Sequence, residues 1–218
     1  MSSLRFLSAD KTEISAEEWL TEWSAKYDKY QNLYPEALYA YLRDKSKDLT
    51  EQDLRILGMW KDGALARGQD FSNGIDPTQV KCTGRWSPTA ASVAFEVWSA
   101  AAAELGGRLR EHQLDPLDFL SAWSVETGTR SNKKFGLSRA TTLLHFISGG
   151  TYPIYDSRVR RAAGKLTSDR TSNSPKWYLD EFCPLFKRLA EACKAETGRK
   201  LDKALFCYGG RLGKGLVV

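Results

Sequence analysis

The chain has 218 residues, of which 42% are hydrophobic and 27% charged, and this length is enough for one domain with a sizeable core. Four cysteines are too few for a disulfide-dense secreted scaffold, and no apolar stretch approaches the ~20 residues that span a bilayer. Residues 1–11 contain no apolar run typical of a signal peptide. These features predict a soluble protein of the reducing cytoplasm, with no membrane partner.

The first third of the chain carries three helix-start signals. A capping box that begins at Ser15 predicts the first helix, because apolar residues follow it at helical spacing. Pro35 is expected to open a second helix, and Thr50 a third that ends near Gly63. Residues 67–85 are rich in Gly, Asp, Asn and Pro, which predicts a long loop.

The middle of the chain continues the helical pattern. An Ala-rich helix is predicted over residues 87–105, stopped by two glycines. Another helix is predicted from Asp115 to about Gly128, and an apolar helix over residues 137–148. The polar residues 167–175 predict a second loop.

The last part of the chain is also predicted to be helical. Residues 177–197 favour a helix that Pro184 should kink or restart, and a short helix is expected over about residues 200–208. No segment shows the sustained period-two alternation typical of strands, and no internal repeat is present. The sequence therefore predicts an all-α fold, with residues 1–218 forming a single domain.

Positive charge is concentrated in one segment. The net charge is +5, but residues 130–165 hold eight cations and one acid, a local charge of +7, so the rest of the chain carries −2. The cations of this segment are Arg130, Lys133, Lys134, Arg139, Arg158, Arg160, Arg161 and Lys165. Such a segment is typical of a surface that meets an anionic partner, although most charge runs are simply solvated faces.

Asp156 is the single acid of this segment. Pro153 biases Tyr152 away from helical dihedral angles, so residues 152–155 are predicted to be extended. Asp156 then lies at the N-cap of a helix predicted over residues 157–165, where free N–H groups and the helix dipole stabilise an anion. Two interpretations stay open: an ordinary N-cap, or an electrostatic partner for a cation that develops beside a polyanion.

Two motifs frame the same segment. Gly136-Leu-Ser-Arg-Ala140 leads into the apolar helix, and Tyr152-Pro-Ile-Tyr-Asp-Ser-Arg-Val159 follows it, with Asp156 eighteen residues after Ser138. This arrangement resembles the helix-hairpin-helix DNA glycosylase superfamily, whose members carry an aspartate about eighteen residues after a key hairpin position. It is also similar to a bacterial group of small oxoguanine-glycosylase-like proteins, which includes a phage-defence enzyme that acts on glucosylated cytosines.

The resemblance implies a function as well as a fold. The implied fold is two helical lobes around a cleft, with residues 130–165 supplying the hairpin and Asp156 as the catalytic residue. Members that also cut the DNA strand have a lysine at the position of Ser138, so the serine implies a monofunctional glycosylase. Such an enzyme hydrolyses the N-glycosidic bond of a flipped-out modified or damaged base and leaves an abasic site.

The substrate base stays open between two classes. One is a hypermodified, glucosylated hydroxymethylcytosine of phage DNA, which would make the protein an antiviral enzyme, and the other is an oxidised purine. A non-catalytic DNA-binding module with the same fold is the main alternative to an enzyme. A protein whose basic segment binds an acidic protein partner is the third possibility.

Further site residues follow from the resemblance and from residue type. The residues predicted to bind DNA are Lys133, Lys134, Gly136, Arg139 and Arg158. The residues predicted to contact the flipped base are Ser138, Tyr152, Tyr155 and Trp60. For each of the three aromatic side chains the alternative is core packing, and for Trp60 core packing is favoured.

No cofactor is expected. His145 lies between Leu144 and Phe146, which favours a hydrogen-bonded core histidine over a catalytic base. Some members of the superfamily hold an iron–sulfur cluster on four closely spaced cysteines, whereas Cys82, Cys183, Cys193 and Cys207 are far apart here. The sequence thus predicts no metal and no iron–sulfur cluster, and a monomer that binds double-stranded DNA.

Overall fold

The structure is a computed structural model, and it describes residues 4–46, 48–72, 74–83, 98, 115–124 and 136–210. Across these ranges the regular elements are helices, and the only β-type pairing consists of isolated bridges between Leu7 and Glu13 and between Leu65 and Cys82. The all-α prediction is therefore confirmed for this part of the chain. No helix within it is long and apolar enough to cross a membrane.

In chain order the α-helices of the described ranges are α1 (Ala16–Ala25), α2 (Glu36–Asp44), α3 (Glu51–Lys61), α4 (Pro116–Ser124), α5 (Gly136–Ile147), α6 (Ser157–Thr167), α7 (Pro175–Trp177), α8 (Cys183–Ala192) and α9 (Gly198–Tyr208). Short 3₁₀ turns cover Lys26–Tyr30 and Pro77–Gln79, and a π-helical turn covers Tyr178–Phe182. The chain divides into two compact units, one of Met1–Asp28 with Pro153–Val218 and one of Lys29–Tyr152.

In the first unit, α1 and α6 both pack against α9. Trp19 and Trp23 of α1 meet the Tyr208 ring edge-on, with ring centroids 5.3 and 5.1 Å apart. Gly209, directly after α9, lies so close to α6 that a Cβ would overlap the carbonyl oxygen of Arg158. Only glycine therefore allows the end of α9 to approach α6 in this way.

In the second unit, α2 and α3 pack together and both contact α5. Leu38 and Leu42 of α2 and Leu57 of α3 are fully buried. Tyr39 and Phe146 add an edge-on aromatic contact, with ring centroids 5.3 Å apart. This core buries the apolar face of each helix, which is what the helical spacing of those residues requires.

The helix-start predictions are confirmed where the structure describes them. Ser15 and Thr50 form capping boxes with Glu18 and Asp53, each hydroxyl accepting from the N3 main-chain N–H while the N3 carboxylate accepts from the cap N–H. Pro35 precedes α2 directly. These starts depend on contacts within one helical turn, which a local sequence pattern specifies.

Three helix predictions differ from the structure or extend beyond the described residues. The helix predicted over residues 177–197 begins earlier, at Pro175, and ends at Ala192, with the π-helical turn placed just before Pro184. Proline lacks the N–H that an α-helix needs and clashes with the preceding turn, and a wider turn accommodates it. The helix predicted over residues 87–105, apart from Trp98, and the end of the one predicted to reach Gly128 lie outside the described residues.

Candidate functional site around Asp156

Asp156 is the N-cap of α6, as the sequence predicts. Its backbone is extended, and its Oδ1 accepts hydrogen bonds from the main-chain N–H of Arg158 (2.8 Å) and of Val159 (2.9 Å). Its main-chain carbonyl accepts from the N–H of Arg160 at 2.8 Å, which begins the helical ladder. The residue is partly exposed. The helix start thus fixes the carboxylate in orientation without enclosing it.

The segment before Asp156 is anchored by two tyrosine hydroxyls. The Tyr178 hydroxyl donates to the carbonyl oxygen of Pro153 at 2.7 Å, and the Tyr155 hydroxyl donates to the carbonyl oxygen of Ser172 at 2.8 Å. Pro153, Ile154 and Tyr155 are all buried. Asp156 therefore follows a buried segment that two hydrogen bonds anchor, so its backbone is held on both sides.

Tyr155 is a core residue. It is 1% exposed, and its ring centroid lies 4.5 Å from that of Phe182 and 5.6 Å from those of Trp177 and Tyr178. Burial raises the pKa of the Tyr155 phenol well above its usual range, although the charge of Arg160 opposes this. Of the two interpretations that the sequence leaves open for Tyr155, core packing describes it, so this ring does not form the wall of an open base pocket.

Trp60, in the second unit, is likewise a core residue. It is 4% exposed, and its ring centroid lies within 6.0 Å of the ring centroids of Tyr34, Tyr39 and Phe146. Core packing, the interpretation that the sequence favours for Trp60, is therefore what the structure shows. A role for its side chain against a flipped base would require these aromatic contacts to open.

His145 links α5 to Tyr152. Its Nδ1 lies 2.7 Å from the carbonyl oxygen of Tyr152, and its Nε2 lies 2.7 Å from the hydroxyl of Tyr39. A carbonyl oxygen only accepts, so Nδ1 carries a proton and donates to Tyr152. The prediction of a hydrogen-bonded core histidine is confirmed. Tyr152 itself is partly exposed, and its main chain is what His145 holds.

Ser138 and Gly136 lie at the start of α5. Gly136 has a φ of +78°, a left-handed value that favours glycine at this position. Ser138 is partly exposed, and its main-chain carbonyl accepts from the hydroxyl of Thr142 at 2.8 Å. Both residues belong to the unit Lys29–Tyr152, whereas Asp156 belongs to the other unit. Lys133 and Lys134, predicted to bind phosphate, lie outside the described residues.

Arg139 is engaged inside its own unit. Its Nε lies 3.2 Å from both carboxylate oxygens of Asp62, and its side chain is only 25% exposed. Asp62 also accepts a hydrogen bond from the indole N–H of Trp98 at 3.1 Å. The sequence gives no sign of this pairing, because Arg139 and Asp62 are 77 residues apart. The ion pair competes directly with the predicted phosphate contact of Arg139.

Three cations of α6 meet the C-terminal end of α9. The Arg158 guanidinium lies 4.2 Å from the centroid of the Phe206 ring. Arg161 Nε donates to the carbonyl oxygen of Gly209 at 2.8 Å, and Lys165 Nζ donates to that of Tyr208 at 2.9 Å. A helix C-terminus exposes unpaired carbonyls and the negative end of the dipole, so cations stabilise it. These three cations of the segment 130–165 therefore stabilise the packing of the fold.

No metal site accompanies this arrangement in the ranges that the structure describes, where no group of three or more His, Cys, Asp or Glu side chains could hold an ion. Burial raises the pKa of the Cys183 and Cys193 thiols to about 11.

No protein-family model, no curated protein and no solved structure matches this chain.

Proposed function

We propose that this protein is a monofunctional DNA glycosylase of the helix-hairpin-helix type, with Asp156 as its catalytic carboxylate. The observation that carries the proposal is the setting of Asp156, which is partly exposed and held by two main-chain N–H groups. The helix that it opens contains four cations and no acid. This combination suits a polyanionic substrate that develops positive charge during the reaction.

The proposed role of Asp156 follows from the charge that develops on the sugar as its bond to the base breaks. When the N-glycosidic bond breaks, its electron pair leaves with the base, and C1′ of the sugar becomes positively charged. A fixed carboxylate beside C1′ stabilises that charge and can accept a proton from the water whose oxygen forms the new bond. The base takes up a proton, so the products are the free base and an abasic sugar. Because Asp156 is already held in place, little reorganisation is needed.

Two further features define the proposed reaction. The target nucleotide has to leave the base stack before a carboxylate can reach its sugar. Ser138 carries a hydroxyl and no amine, so it cannot form the Schiff base by which a lysine would cut the strand. The proposed substrates are a glucosylated hydroxymethylcytosine or an oxidised purine, both in double-stranded DNA.

A non-catalytic DNA-binding module is the alternative. It is favoured by the fact that Asp156 Oδ1 already makes the two hydrogen bonds of an ordinary N-cap. In that case the basic segment would bind the duplex and no base would be released.

Base release from defined duplexes separates the two functions. Each duplex carries one base from the two proposed substrate classes (glucosylated 5-hydroxymethylcytosine or 8-oxoguanine) and is treated with alkali after incubation to cleave abasic sites. We expect alkali-dependent cleavage at one of these bases, lost in Asp156→Asn. Binding without release on every duplex would support the DNA-binding module, and a failure to bind duplex DNA at moderate salt would contradict both functions. Cleavage without alkali would show that the enzyme is not monofunctional.

A further inference from the structure

The cations of α6 fall on two different faces of the helix. Arg158, Arg161 and Lys165 all contact the end of α9. At about 100° per residue, these three lie roughly 140–200° around the helix axis from Asp156. These three side chains are therefore engaged with α9, and their contacts stabilise the packing of α6 on α9.

Arg160 lies on the face of Asp156. It is four residues further along, which places it about 40° around the axis and about 6 Å along it. The main-chain N–H of Arg160 donates to the Asp156 carbonyl at 2.8 Å, so the two residues occupy successive turns. Arg160 is partly exposed, and among the residues that the structure describes its guanidinium makes no hydrogen bond or ion pair.

The loop 168–174 borders the same face of α6. One turn beyond Arg160, a Cβ on Gly164 would lie 3.4 Å from the carbonyl oxygen of Asp169 and from the Thr171 side chain, so the loop packs against the helix there. The Tyr155 hydroxyl fixes this loop through the carbonyl oxygen of Ser172 at 2.8 Å.

We infer that Arg160 binds the backbone phosphate of the target nucleotide and so positions its sugar against Asp156, an inference that rests on the proposed glycosylase function. A guanidinium binds phosphate through two parallel hydrogen bonds, which fixes orientation as well as distance. Because Arg160 and Asp156 lie on successive turns of one face, a nucleotide whose sugar lies against Asp156 can place its own phosphate at Arg160. The assignment differs from the sequence-based one, which placed the phosphate contacts at Lys133, Lys134, Arg139 and Arg158.

The test uses a probe that does not depend on the identity of the base. A duplex with one tetrahydrofuran abasic-site analogue resembles the product of any glycosylase, and the same duplex without the analogue measures non-specific binding. The wild-type protein is expected to prefer the tetrahydrofuran duplex. Arg160→Gln is expected to weaken that binding about tenfold to a hundredfold, since it removes charged hydrogen bonds. It should also reduce the slope of log affinity against log salt by about 0.9.

Arg161→Gln is the matched control, because it removes the same charge from the neighbouring residue on the other face. It is expected to lower the melting temperature, since it loses the bond to Gly209, and to bind the tetrahydrofuran duplex like the wild type. Arg160→Gln is expected to melt like the wild type. Arg160→Lys keeps the charge, so it should keep the salt slope and lose only part of the affinity.

The outcomes distinguish the inference from the proposed function. If the wild type prefers the tetrahydrofuran duplex but Arg160→Gln binds it equally well, or if Arg161→Gln weakens binding by the same factor, Arg160 is not the positioning residue and the glycosylase proposal stands. If the wild type shows no preference for the abasic-site analogue and releases no base, both proposals are overturned.

Discussion

Asp115 and Asp156 cap α4 and α6 with nearly the same hydrogen bonds, but their surroundings differ. Asp115 Oδ1 accepts from the main-chain N–H of Leu117 at 2.8 Å and of Asp118 at 3.0 Å, as Asp156 Oδ1 accepts from two N–H groups of α6. Asp115 is exposed, and α4 has an acid in its first turn and no cation. The hydrogen bonds of these N-caps are thus explained by helix stability alone. Only the positive charge around a cap indicates an anionic partner.

Asp53 provides a third case, in which the carboxylate is completely buried. It belongs to the capping box of α3 and accepts hydrogen bonds from the Thr50 hydroxyl (2.7 Å) and the Tyr41 hydroxyl (2.8 Å), with Lys45 Nζ 3.3 Å away. No substrate can reach such a group. The three acids therefore allow the catalytic and structural consequences of removing a capping carboxylate to be separated.

The largest expected effect is on the rate of base release. Asparagine is as good an N-cap as aspartate, so Asp156→Asn and Asp115→Asn should both fold normally. Asp156→Asn is expected to lower the rate of abasic-site formation by about 10²–10³, because a preorganised charge beside the transition state is lost. Asp115→Asn is expected to react at the wild-type rate.

Single-turnover measurement of alkali-sensitive sites gives both rates, and duplex affinity measured in parallel should be unchanged in both variants. Equal rates for the wild type and Asp156→Asn would show that Asp156 is an N-cap only, like Asp115.

The next largest effect is on stability at Asp53. Burial acts to raise the pKa of Asp53, but the hydrogen bonds from Thr50 and Tyr41 and the charge of Lys45 lower it below its ordinary value of 3.8. The ionised carboxylate of Asp53 is therefore more stable in the folded state than in the unfolded state. Its contribution to stability is present above about pH 4 and is lost as the pH falls through the lowered pKa.

Asp53→Asn is accordingly expected to lower the free energy of unfolding at pH 7 by about 2–3 kcal/mol. Denaturant titrations at a series of pH values should show the difference from the wild type shrinking below about pH 4. A difference that stays constant down to pH 2 would contradict the assigned role of the ionised carboxylate.

A smaller effect is expected from removing each exposed cap completely. Asp115→Ala and Asp156→Ala should each lower the free energy of unfolding by about 1 kcal/mol, because each loses its cap hydrogen bonds. For a chain of this size this corresponds to about 2–4 °C in melting temperature. Thermal melts that separate the two variants by much more than this would mean that the caps are not equivalent in stability.

An effect of similar size is expected at the anchors of the segment before Asp156. Tyr155→Phe removes the hydroxyl that donates to Ser172 and is expected to destabilise the fold by about 1 kcal/mol, with base release unchanged. Tyr178→Phe, which loses the bond to Pro153, is the matched control. A tenfold fall in the rate of base release in Tyr155→Phe, without such a fall in Tyr178→Phe, would indicate that Tyr155 contacts the flipped base.

The sequence predicted the local features of the site well. The N-cap at Asp156 and the capping boxes at Ser15 and Thr50 each depend on partners within three residues, so the local pattern contains all the information. The surroundings of the aromatic side chains were predicted less completely, because core packing was favoured for Trp60 but was left open for Tyr155. Tyr155 and Trp60 are both buried among aromatic rings, which residue type alone could not distinguish from the wall of a pocket.

The sequence by itself determined that this chain is helical over the ranges described, where most of its helices begin, and that its one isolated acid caps a basic helix. Only the tertiary structure decided how the cations are used, because their partners lie far away along the chain: Arg161 meets Gly209 after 48 residues and Arg139 meets Asp62 after 77. Local patterns set backbone hydrogen bonds within a turn, whereas the partner of a long charged side chain depends on which helices pack together. That packing leaves Arg160 on the face of Asp156.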